Sequence, residues 1–115
     1  MIVRLYTGPD NQSHFEEIRP AFAPAEGAER TAFEDTEGVS FGRFQPGYFS
    51  DWHNAPRRQY VVTLAGEVEI GLGDGSVRKF VTGDVLLAED LTGHGHTTRV
   101  VGSQPRLTMT VPLGA

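Results

Sequence analysis

From residue 39 onward, apolar and polar positions alternate in short runs separated by Gly, Pro and Asp, a period that suits extended strands and not helices. "EVEI" at 67–70 sends Val68 and Ile70 to one face and Glu67 and Glu69 to the other, the pattern of a half-buried strand. "GLGDGS" then reverses the chain, with Asp74-Gly75 at the tip, because Gly tolerates the positive φ of hairpin turns. No helix follows these glycines, so they are not a phosphate loop. "VRKFVTGDVLLAED" turns at Thr82-Gly83-Asp84 into a further strand. "HTTRVVG" and "RLTMTVPL" predict two more strands, joined by the turn at 102–105, with Leu107, Met109 and Val111 sharing one face. The expected fold class is all-β, a sandwich or a barrel, and closure into a barrel would hide the unpaired strand edges.

Before residue 39 the alternation fades. "RPAFAPAEGAERTAFEDTEG" is rich in Pro, Ala, Gly and Glu and reads as an irregular surface connection with one helical turn near Ala28 to Phe33. With 115 residues the chain has room for one core. The expected layout is a single domain over 1–115, with a strand and loop extension at 1–38 and a barrel over 39–112.

Composition narrows the chemistry. There is no cysteine, which excludes disulfides, thiolate zinc sites and cysteine nucleophiles. A formal charge of −5 without any basic run argues against nucleic acid as a partner. The N-terminus has neither the long apolar stretch nor the small-residue cleavage site of a signal peptide, so a cytoplasmic protein with no membrane association is expected.

The remaining chemistry centres on "GYFSDWHNAPRRQYVVTLAG" at 47–66 and "GDVLLAEDLTGHGHTTR" at 83–99. The first resembles the opening signature of the cupin superfamily, G-x5-H-x-H-x3-E-x6-G. Gly47, His53 and Gly66 fall at its spacings, Ala55 stands in place of the second histidine and Gln59 in place of the glutamate. The second is similar to the partner signature, G-x5-P-x-G-x2-H-x3-N: Gly83 opens it, Glu89 replaces the proline, and His94 takes the histidine position, or His96 if the loop is two residues longer. The resemblance implies a jelly-roll cupin barrel whose interior binds a small polar molecule, and a homodimer by family habit. It implies no single reaction, since cupins include isomerases, epimerases, lyases, dehydratases, dioxygenases and non-catalytic sugar-binding modules.

Strand parity turns positions 53 and 55 the same way, as it does 59, 61 and 63, and lets His94, His96 and Thr98 point together. Two chemistries stay open for that pocket. One is a weakly held divalent metal (iron, manganese, nickel or zinc) on His53, Gln59, His94 and His96, impoverished because an amide carries no charge. The other is metal-free acid–base catalysis, since imidazole titrates near 6.5, with His53 first, His96 second, and Gln59 or Tyr48 orienting the substrate. Substrate contacts are expected from Arg43, which shares parity with Val39 and Phe41, and from Trp52, His94 and Thr98. Phe49 and Trp52 read as residues of the barrel mouth. His14, Arg57 and Arg58 read as surface residues, Glu89 and Asp90 equally as turn residues or acids, and the Ser50, Asp51, His53 cluster as too local for a catalytic triad. A binding module that performs no chemistry is the alternative to an enzyme.

Overall fold

The computed structural model describes residues 1–114, and among them it contains strands, turns and no helix. One sheet has six strands in the order β2 (Ser13–Ile18), β1 (Ile2–Thr7), β10 (Val85–Glu89), β7 (Gln59–Ala65), β12 (Arg106–Pro112) and β5 (Ser40–Phe44). The other has four, in the order β6 (Phe49–His53), β11 (His96–Val101), β8 (Glu67–Gly71) and β9 (Val77–Phe80). The all-β class is as expected. Among the described residues no ladder joins one sheet to the other, so the hydrogen bonding forms a two-sheet sandwich and not a closed barrel.

The two sheets share one apolar core. Val68 and Ile70 of β8 turn inward as their alternation requires, and meet Val3 and Leu5 of β1, Leu86 and Ala88 of β10, and Phe80, Leu72 and Val100. Val3 and Leu5 are 1% and 0% exposed. That corrects the N-terminal boundary: residues 2–18 are not an extension but two strands of the large sheet. β1 lies parallel to β10 in the register Val3↔Leu86 and Leu5↔Ala88. A parallel pairing across more than 80 residues leaves no local periodicity to detect.

The helical turn near Ala28 to Phe33 is also corrected. Ala23–Ala25 (β3) and Ala28–Arg30 (β4) form a detached hairpin around Glu26 and Gly27, both at positive φ (50° and 79°). Two consecutive residues in that region make the tight turn whose twist suits antiparallel strands, and it overrides the high helix propensity of Ala, Glu and Arg.

Candidate functional site

One end of the interior is filled with apolar side chains and the other opens into a space with a polar lining. At the second end, between β6, β7, β11 and β12, lies a cavity of about 210 Å³. Its polar lining comes from Tyr48, Ser50, His53, Gln59, His96, Thr98, Arg106, Thr108 and Thr110; Phe44, Val61, Ile70, Leu86 and Val100 supply apolar walls.

His53 reaches this cavity because β6 carries a bulge. The β6–β11 register pairs His96 with His53 and Thr98 with Ser50, so three steps on β6 oppose two on β11. The extra residue breaks the alternation, and Ser50 and His53 both face inward while Phe49, Asp51 and Trp52 are exposed. The His53 Nδ1–H donates to the Asp51 carbonyl at 2.6 Å, with the Ser50 hydroxyl at 3.2 Å. A carbonyl can only accept, so Nδ1 holds the proton and the Nε2 lone pair is free.

His96 is placed from the other sheet edge. Gly95 precedes it at φ +81°, and a Cβ there would stand 2.3 Å from the His53 carbonyl oxygen, so only glycine lets the two segments approach this closely. The imidazole is buried, and its Nδ1–H donates to Asp90 Oδ2 at 2.6 Å. Asp90 is 0% exposed, and the Ser13 hydroxyl donates to the same oxygen at 2.7 Å. Oδ1 has no partner, so the sealed carboxylate is compensated through Oδ2 alone. The His53 and His96 rings stand 4.3 Å apart between centroids, inclined by 57°. In both histidines Nδ1 is engaged by an acceptor, which leaves Nε2 as the ring nitrogen able to act as a base.

The two motif substitutions also face the pocket: Ala55, buried, and Gln59 both line it. His53, His96 and Gln59 are thus the donors that a divalent ion would meet. Catalytic zinc sites use three protein ligands, commonly with a carboxylate or thiolate among them. Among the described residues no group of three His, Cys, Asp or Glu gathers around one point. Two imidazoles and a neutral amide do not fit a catalytic divalent site.

Several expected site residues lie elsewhere. Arg43 is exposed, because Gly42 and Phe44 are the inward residues of β5 and the parity expected for Val39, Phe41 and Arg43 is reversed. His94 is exposed and packs on Trp52, with ring centroids 4.3 Å apart, on the outside of the small sheet. Trp52 and Phe49 border a shallow outer depression with Thr97 and Arg99, away from any barrel mouth. His14 is held by Asp10 at 2.9 Å on the surface. Arg58 is not free: its Nε donates to Glu89 Oε2 at 2.6 Å, while Arg4 Nε donates to Oε1 at 2.6 Å. Burial alone would raise the Glu89 carboxyl, but these two guanidiniums more than offset it and hold it below its usual range.

The sequence reading left Asp90 open between turn residue and acid, and did not single out Arg106 or Ser13. Asp90 follows Glu89 in what looks like a turn, and nothing local distinguishes an anchoring acid from a turn acid. Arg106, 6% exposed, opens a strand whose apolar residues were the visible signal; its own signal is the alternation Arg106, Thr108, Thr110 on the opposite face.

With this geometry in hand, comparisons with solved structures are informative about fold. A cupin domain from Bordetella pertussis Tohama I matches with a TM-score of 0.54 at 18% identity, covering 87% of this chain and 100% of that one. A cupin 2 conserved barrel domain protein from Salinispora arenicola gives 0.54 at 22% identity over 67% of this chain and 62% of that one. The DMSP lyase DddQ from Ruegeria pomeroyi gives 0.56 at 23% identity over 78% of this chain but 43% of that one. No family model matches the sequence, and neither does any curated protein. The chain has the cupin, double-stranded β-helix fold. No helix among the described residues is long and apolar enough to cross a membrane.

Proposed function

We propose that this chain binds a small polar organic molecule between its two sheets and moves a proton on it, with His96 as the principal base and His53 as its partner. The observation that carries the reading is the sealed chain from Ser13 to Asp90 to His96. A carboxylate at 0% exposure is costly to bury, and this one orients one imidazole and stabilises the imidazolium that forms when it accepts a proton. His53, oriented by a backbone carbonyl, stands close enough to return the proton at a second atom of the same ligand. Two bases on one small cavity suit isomerisation, epimerisation or elimination. That the similar fold of DddQ belongs to a lyase places elimination among the reactions to test. A homodimer is part of the proposal, formed on the outer face of the large sheet where Phe41 and Val39 are 64% and 57% exposed.

The test is exchange of carbon-bound hydrogen for deuterium in D2O, followed by NMR over a panel of 2-hydroxy acids, 2-oxo acids and aldoses. Exchange in the wild type should fall at least about 100-fold in His96→Asn and Asp90→Asn and be unchanged in His14→Asn. Exchange insensitive to His96 would place the chemistry elsewhere, and saturable binding without exchange would make the domain a binding module.

A further inference from the structure

We infer that the ligand carries a carboxylate and that the Arg106 guanidinium receives it. The inference rests on the His53–His96 cavity being the ligand site and adds the class of molecule that enters it. Three other arginines of this chain hold acids at the surface: Arg4 and Arg58 on Glu89 at 2.6 Å each, and Arg78 on Glu17 at 2.8 Å. Arg106, the most deeply placed, has no ion pair among the described residues. Its hydrogen-bond partner is the Thr63 hydroxyl, at 3.1 Å from Nη2 and 3.4 Å from Nε. A guanidinium has five N–H donors, so the Nη1 side is left for a planar, two-oxygen acceptor.

The cavity's charge supports the same conclusion. Among the described residues no Asp or Glu lines it, so of these Arg106 is the single permanent charge facing the space that His53 and His96 also face. Burial without an anion pushes the Arg106 guanidinium down to about 10, a direct mark of a cation lacking its counter-charge. A buried charge with no partner weakens the fold unless a ligand completes it. A phosphate dianion would call for a second cation or a cluster of backbone N–H groups, and the lining supplies one guanidinium. A volume of about 210 Å³ also limits the guest to a small acid. With its carboxylate on Arg106, such a ligand would present its adjoining carbons to the two imidazoles.

The probes are acetate, glycolate and pyruvate against acetamide, glycolamide and pyruvamide, titrated at pH 7 into wild type, Arg106→Met and Arg106→Lys. Binding is read from the backbone amide NMR shifts of Thr98 and Val100 and from thermal unfolding. The acids should bind wild type at least about tenfold tighter than their amides, Arg106→Met should abolish that preference, and Arg106→Lys should keep part of it. Without ligand, Arg106→Met should melt no lower than wild type, which a purely structural arginine would not allow. Amides binding as well as acids would overturn the inference while leaving the proton-transfer site intact, and that comparison needs no variant should Arg106→Met fail to fold. Acids bound equally by Arg106→Met would overturn it too. If neither class of probe shifts Thr98 or Val100, the inference and the cavity's role as the ligand site fall together.

Discussion

Strands β8 and β12 alternate with the same period across the same interior, but with opposite polarity. β8 puts Val68 and Ile70 inside and Glu67 and Glu69 outside. β12 puts Arg106, Thr108 and Thr110 inside and leaves Leu107, Met109 and Val111 on the outer face, where Met109 pairs with the exposed Phe41. The inner face of β8 belongs to the apolar core and supplies Ile70 as one wall of the cavity; that of β12 supplies the cavity's polar groups. Alternation thus reports that a strand is two-faced, but not which face is the core. A strand with its polar side inward marks two features at once, a polar interior and an apolar surface.

The largest expected effect contrasts the two inner faces directly. Ile70→Ala should cost about 2–5 kcal/mol in urea unfolding, since it removes a buried apolar side chain from the core cluster and enlarges the cavity it walls. Thr108→Val, at 3% exposure on β12, should change stability by less than about 1 kcal/mol, because the swap leaves no void and the hydroxyl it removes makes no hydrogen bond among the described residues. Equal costs would erase the distinction between an apolar and a polar inner face.

A second change sharpens the chemistry of the cavity. Ala55→His with Gln59→Glu adds an imidazole and a carboxylate to the two histidines already facing the cavity. Zinc affinity, read as the shift of thermal unfolding with added metal, should rise at least about 100-fold over wild type. The apoprotein should be less stable than wild type, because the new carboxylate is buried without a partner. Unchanged affinity would mean that Gln59 and Ala55 do not converge with His53 and His96.

On the outer face, Phe41→Glu should dissociate the proposed homodimer without unfolding the monomer, as seen by sedimentation velocity. A wild type that sediments as a monomer at all concentrations would remove the dimer and leave that face unexplained.

The smallest effect concerns pH. Glu89 titrates below its ordinary value in the folded chain, so its stabilising contribution is full above the unfolded pKa and is lost as pH falls through the lower folded one. Wild type should therefore exceed Glu89→Gln in stability by about 1 kcal/mol near neutrality, and the gap should close in the acid limb. Arg106 has the opposite sign. A cation depressed to about 10 weakens the fold below that pH, and the penalty is relieved as pH rises from about 10 towards the ordinary arginine value. Arg106→Met should hold its advantage up to pH 10 and lose it above.

What the amino-acid sequence determined by itself was local. The β class, the turn at Asp74-Gly75 and the inward pair Val68 and Ile70 follow from residue type and strand period, and the spacing of Gly47, His53, Gln59 and Gly66 was legible through its resemblance to the cupin signature. Only the tertiary structure decided the rest, because it depends on pairings between distant segments. β1 joins the sheet through β10, more than 80 residues away. A bulge in β6 puts Ser50 on the His53 side, and the close pass of Gly95 under His53 selects His96 over His94. Asp90 becomes an anchor because Ser13 and His96 arrive at it from two other strands. Arg43 and Arg106 could exchange roles on paper; which one is buried depends on which face of the sheet meets the other, and a period of two is blind to that sign.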